Sequence, residues 1–197
     1  MNAYVVLAVG LLCGLTLAYV VDSLIERIRR RGSHEKETRV HFSPKGGCAN
    51  AIVTELAAAK MSILVQAYSF TCREICDALI AAVKRGVRVT VLLDKSNETE
   101  SYSALGDLTG HGIDVRIDGV HAIAHNKVMV IDRRTVLTGS FNFTRQAEHE
   151  NAENLIILRN QPDMAVLYYD NFAANAGHCH APSALNDTST TTSRRAA

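Results

Sequence analysis

His125 and Lys127 stand two residues apart in a run that continues to Asp132, Gly139, Ser140 and Asn142, reading His-x-Lys-x4-Asp-x6-Gly-Ser-x-Asn. An imidazole can attack phosphorus or move a proton near neutral pH, and an ammonium can neutralise the non-bridging oxygens of a phosphodiester. Ser140 and Asn142 add neutral hydrogen-bond donors, and Gly139 permits close backbone approach. An isolated His-x-Lys pair is more often two surface side chains than a site. Six fixed residue types at fixed spacing outweigh that reading. Nothing in the set resembles a metal cage, and neither a metal nor a cofactor is expected.

The elements that must position these residues follow from hydrophobic patterning. AHNKVMVID, residues 124–132, is rich in Val and Ile and is separated by Arg133-Arg134 from TVLTGSFNF. Two short strands joined by a tight polar turn are expected. Side chains alternate along a strand, so His125, Lys127 and Met129 should share one face and Asn126, Val128 and Val130 the other. An antiparallel return would bring Gly139, Ser140 and Asn142 to the sheet end that holds His125. Odd spacing from Lys127 sends Asp132 to the opposite face, where it is expected to support the turn.

Upstream, strand-like runs at residues 40–42, 63–68, 87–93 and 115–117 alternate with helix-like runs at 49–60, 75–85 and 103–111. Gly86 and Gly112 are placed to close the second and third helices. A last helix is expected over 163–176, with Met164, Leu167, Tyr168 and Phe172 on one side. The alternation predicts a layered α/β/α domain with a mixed central sheet.

With these residues in view, the chain resembles the phospholipase D superfamily, whose HKD signature is the pattern quoted above. SFNFTRQAEHENAENLII, ILVQAYSFT, CDALIAAVKRGVRVTVLLD and HGIDVRID are similar to its small single-motif branch, which includes the bacterial Nuc endonuclease and the mitochondrial phospholipase D and Zucchini proteins of animals. The resemblance spans about residues 38–176. It implies that His125 is the nucleophile of a phosphohistidine intermediate, that Lys127, Ser140 and Asn142 hold the phosphate, and that Glu153 in N-A-E-N orients and polarises His125. Asp132 belongs to the catalytic signature, although its expected place at the turn ranks it below the others.

The 197 residues suffice for one domain with a proper core. They carry one copy of the motif, whereas larger members of the superfamily build one site from two copies. An isologous homodimer sharing a composite active site is therefore expected, one His125 attacking and the other protonating the leaving oxygen.

Ala3 to Val21 is an uncharged apolar stretch followed by Arg27, Arg29, Arg30 and Arg31. It is long enough to span a bilayer, and the basic cluster on its C-terminal side keeps the catalytic domain cytosolic by the positive-inside tendency. The expected organisation is a transmembrane anchor over 1–22, a charged linker over 23–37 able to meet anionic lipid, a catalytic domain over 38–178, and a disordered tail over 179–197. Such an anchor suits the mitochondrial outer membrane of a eukaryote or the inner membrane of a bacterium.

Charge bears on the substrate. The chain holds 21 Lys and Arg against 20 Asp and Glu. Setting aside the four arginines of the linker, Arg194, Arg195, Asp22 and Glu26 leaves 15 basic and 18 acidic residues. Nucleic-acid binders usually show a basic stripe, so this balance weakens a nuclease reading while Lys127, Arg133, Arg134 and Arg145 keep it open. Hydrolysis of a diester lipid such as cardiolipin to phosphatidic acid and cleavage of single-stranded RNA or DNA are both compatible with the motif. Cys72, Cys76 and Cys179 with neighbouring histidines form a zinc set only on paper, since their spacing is not a recognised one. His111, His121 and His149 are expected at the surface, with His121 and residues 97–102 near the rim of the site.

Overall fold

The computed structural model describes residues 16, 19–23, 35–100 and 103–183. The chain divides into two units, Met1–Glu35 and Lys36–Ala197. In the first, residues 16 and 19–23 are helical. Among the described residues no helix is long and apolar enough to cross a membrane. Most of the expected anchor, the basic run at 27–31 and the tail from residue 184 onward lie outside the described residues.

The second unit runs β1 (Glu37–Ser43), α1 (Cys48–Ala58), β2 (Ser62–Ala67), α2 (Arg73–Lys84), β3 (Arg88–Asp94), α3 (Leu105–Gly110), β4 (Asp114–Asp118), β5 (Lys127–Ile131), β6 (Thr135–Gly139), α4 (Arg145–His149), β7 (Glu153–Arg159) and α5 (Pro162–Ala176). The strands form one seven-stranded sheet in the order β1-β7-β6-β5-β2-β3-β4. β2, β3 and β4 are parallel, and β5, β6, β7 and β1 continue the sheet antiparallel. This is the mixed sheet that the alternating pattern predicts.

Period-two alternation divides the strand side chains between two layers. Ile63, Val65, Val91, Met129, Leu137, Leu155 and Ile157 face α1 and α2, where Ile52, Leu56, Ile75 and Leu79 complete the larger core. Burying each such side chain contributes about 1.5–3 kcal/mol. Val128, Val130 and Val136 form a smaller cluster on the other face with Ala165 of α5. Gly86 and Gly112, at φ 87° and 77°, follow α2 and α3 in the left-handed region as helix-closing residues do.

Two expectations need correction. On α5 the buried stripe is Ala165 and Phe172, while Leu167 is 63% exposed. Phe172 is buried and Tyr168 packs on the smaller cluster as expected, while Ala165 rather than Leu167 meets the sheet. Residues 179–183 also belong to the folded unit. His180 exchanges backbone hydrogen bonds with Ile117 of β4, at 2.8 and 3.0 Å, and Ser183 N donates to Glu98 Oε1 at 2.7 Å. Polar composition gave no sign of these long-range partners.

The register sends several strand ends to one edge of the sheet. Ala67 lies opposite Lys127, Asp94 opposite Asp118, Gly139 opposite Leu155 and Ser43 opposite Glu153. This is the C-terminal edge of the parallel strands, where α/β sheets commonly hold their ligands.

Candidate active site

β5 begins at Lys127, so His125 sits on the loop just before it. That loop is tied down from three strands. Tyr68 N donates to Asn126 O at 3.0 Å, Ala124 N donates to Asp94 Oδ2 at 2.7 Å, and Val120 N and His121 N each donate to Asp118 Oδ1 at 3.2 Å. Asp94 is 3% exposed. Burial opposes its ionisation, but hydrogen bonds from Ser96 and Ala124 outweigh burial and hold its carboxyl below the usual aspartate range. Asp118 is held low in the same way, burial being outweighed by His121 and Val120.

The His125 ring is exposed and lies against Tyr68, with centroids 4.7 Å apart at 52°. Lys127 is 7% exposed. Its Nζ donates to the carbonyl oxygen of His125 at 2.8 Å and stands 5.1 Å from the centre of the Tyr68 ring. Burial pushes the Lys127 ammonium below its ordinary range, and the Glu153 carboxylate pulls it back in part. A buried cation with few fixed acceptors is poised for an anion.

Across the site, β6 ends at Gly139 with φ 153°, and a Cβ there would meet Asn154 O at 2.2 Å. Only glycine allows the next residues to close on β7. Ser140 N and Phe141 N donate to Asn154 O at 3.1 and 3.2 Å. Ser140 Oγ donates to Glu153 Oε2 at 2.5 Å and accepts from Asn154 N at 3.1 Å. Asn151 Nδ2 holds the other Glu153 oxygen at 2.9 Å. Within the chain, then, Glu153 is bonded to Ser140 and Asn151, and the His125 ring packs on Tyr68. The Ser140 hydrogen is committed to Glu153, so donation to a phosphate requires that hydroxyl to rotate. Asn142 is half-buried, and its Oδ1 has no hydrogen-bond partner. An unpartnered buried polar atom costs on the order of 1–3 kcal/mol.

Asp132 is not brought to this edge. It lies at the far end of β5, ~16 Å from Lys127 at strand rise. With φ 50° it shares the turn centre with Arg133 at 53°, and its carboxylate accepts from the backbone N–H groups of Lys60, Met61 and Ser62 at 2.7–2.9 Å. The signature aspartate thus clamps the α1–β2 turn to the β5–β6 hairpin. The paper zinc set also disperses. Cys72 and Cys76 are buried in the larger core, whereas Cys179 lies beside Asp118 and His178. His121 Nδ1 is 2.8 Å from Asp118 Oδ2. Asn97 is buried, donating to Tyr68 O at 2.7 Å and Asp94 O at 3.1 Å, so it braces the rim from beneath.

Tyr68, Asp94, Asn151 and Asn154 were not singled out in the sequence. Asn151 and Asn154 flank Glu153, and a run as polar as ENAEN at a strand start was a usable signal. Tyr68 and Asp94 end strands that become neighbours of His125 only through the sheet register.

A sheet edge that gathers an exposed imidazole, a buried ammonium and a Ser–Glu–Asn network defines a phosphate-directed site on a mixed α/β fold. The family described as cardiolipin synthase, PLD-like domain, matches residues 52–175, and the chain belongs to this phospholipase D superfamily of phosphodiesterases. Phospholipase D of Rickettsia typhi is 46% identical over 141 residues, covering 70% of this chain and 69% of that protein. Mitochondrial cardiolipin hydrolase of Xenopus tropicalis is 37% identical over 102 residues, 52% of this chain and 49% of that one. Among solved structures, Nuc from Salmonella typhimurium, a phospholipase D family member, superposes with a TM-score of 0.72 at 36% identity, covering 74% of this chain and 97% of its own. The chain thus spans about two-thirds of the Rickettsia relative and about half of the Xenopus one.

Proposed function

We propose that the protein is a membrane-anchored phosphodiesterase that hydrolyses a phospholipid diester such as cardiolipin to phosphatidic acid. The observation that carries the chemistry is Lys127, buried and hydrogen-bonded to the carbonyl of His125 at the edge that also holds Ser140 and Asn142. One imidazole nitrogen of His125 forms a bond to phosphorus as the bond to the leaving oxygen breaks. Lys127 offsets charge on the non-bridging oxygens, with Ser140 and Asn142 donating to them. Water then attacks phosphorus, the P–N bond breaks, and His125 is restored. Glu153 acts through Ser140 and, once substrate is bound, through His125.

The leaving oxygen needs a proton, and a second copy of the chain supplies it. One motif per chain and the exposure of His125 support a homodimer in which the two imidazoles share attack and protonation. The apolar stretch at residues 3–21 and the arginines after it support an anchor with the catalytic unit on the cytosolic side: the mitochondrial outer membrane in a eukaryote, the inner membrane in a bacterium.

Val120 and Ile123, 67% and 59% exposed, lie on the loop that carries His125. Apolar side chains at the mouth of a phosphate site favour acyl chains over bases. The second reading, an endonuclease for single-stranded RNA or DNA, is favoured by the likeness to Nuc over nearly all of that chain's length. Full-length protein and its His125→Asn variant, assayed on cardiolipin vesicles and on labelled single-stranded RNA, separate the two. Release of phosphatidic acid by the parent alone is expected. RNA cleavage without lipid turnover would favour the second reading, and a fully active variant would exclude His125 as nucleophile under either.

A further inference from the structure

Behind the catalytic loop lies a second cluster that the phosphodiester chemistry does not use. Asp118 at the end of β4 and His178 and Cys179 just past α5 place one ligand atom each within 4.8 Å of one another. They are far apart in the chain and are brought together by the pairing of His180 with Ile117. Asp118 is 3% exposed and Cys179 is half-buried. His178 Nε2 is buried and lacks a hydrogen bond, although it is 3.5 Å from Asp118 Oδ2. His121 adds a further nitrogen beside the same carboxylate, its ring centroid 5.1 Å from that of His178.

We propose that Asp118, His178 and Cys179 bind one zinc ion, with His121 the nearest donor for the fourth position. The donor set is the argument. One carboxylate, one thiolate and neutral imidazoles match the O, S and N ligands that zinc takes tetrahedrally, whereas calcium and magnesium prefer all-oxygen cages. Bond lengths of about 2.0–2.3 Å imply ligand separations of roughly 3.3–3.8 Å, so the cluster closes by up to about 1.5 Å on the ion. Two anionic ligands balance the charge of the cation. On binding, the Cys179 thiol gives its proton to solvent in place of its present donation to Asn175 O at 3.2 Å. Coordination also gives the orphaned His178 nitrogen a partner.

The ion would be a structural clip. Asp118 already anchors the start of the loop through Val120 and His121, and Asp94 anchors its end at Ala124. Zinc would join the segment after α5 to that anchor and so steady the approach to His125. The binding does not depend on the substrate of the enzyme.

The test uses the full chain in detergent, stripped with chelator and refilled with Co2+ or Zn2+. The expected result is one ion per chain, with a thiolate-to-cobalt charge-transfer band in the near ultraviolet that Cys179→Ser abolishes. His178→Ala should weaken Zn2+ affinity at least about tenfold in competition with a chromophoric chelator, while His111→Ala leaves it unchanged. Zinc should raise the Tm of the parent and not that of Cys179→Ser. Folded parent protein that binds no ion stoichiometrically, or a charge-transfer band that survives in Cys179→Ser, would overturn the proposal.

Discussion

A buried cation, Lys127, is joined to the backbone of an exposed imidazole, His125, through one hydrogen bond. Burial of Lys127 disfavours its charged form in the free protein, a cost that phosphate bound as proposed would offset. Its folded pKa lies below the unfolded one, so the fold disfavours its charged form, and that penalty is relieved only as pH rises through the folded value towards the unfolded one. Lys127→Met should therefore lower turnover by about 10²–10³-fold while raising unfolding stability by about 0.5–2 kcal/mol at neutral pH. Urea denaturation and initial rates measured on the same preparation check both parts. The types and spacing of His125, Lys127, Ser140 and Asn142 were legible in the sequence because one hairpin carries them. The packing of Tyr68 on His125 was not, since it depends on which strand β5 joins. Nor was the bonding of Glu153 to Ser140 and Asn151, which is set by the approach of β6 to β7 at Gly139.

At the scale of elements, two aspartates hold the hairpin and its entry loop, and neither touches the phosphate site. Asp132 accepts three backbone N–H groups at the turn. Asp132→Ala should cost about 1–3 kcal/mol of stability while leaving kcat per folded molecule within about twofold. Calorimetry together with active-site titration would show it, and a large loss of kcat in a fully folded variant would return Asp132 to the chemistry. Asp94 belongs to the loop. Its folded pKa is depressed, so its contribution is complete above the ordinary aspartate range and is lost as pH falls through the folded value. Hydrogen exchange at the Ala124 amide should accelerate relative to core amides below about pH 4, and Asp94→Asn should show the faster exchange already at neutral pH. The alternation of strands and helices was readable from periodicity. On α5 Phe172 and Tyr168 were legible, but the buried Ala165 was not, because sequence alone does not say where a helix needs a small residue against a sheet.

At the scale of the whole molecule, one motif in the chain makes assembly part of the proposed mechanism. Among the described residues His125 is exposed with the Lys127 cation beside it, and we propose that the second imidazole comes from another copy of the chain. Active protein should sediment as a dimer, and mixing inactive His125→Ala with inactive Lys127→Ala should restore little activity, because each composite site draws on both copies. An active monomer by light scattering would contradict the shared site. Rapid mixing of enzyme with a phosphorus-labelled diester, quenching in alkali, where phosphohistidine survives, and peptide mapping would reveal the proposed covalent intermediate. The expected result is a transient label on His125 that appears and decays at rates compatible with turnover and is absent from His125→Asn. Turnover with no covalent label, or with the label on another residue, would contradict it.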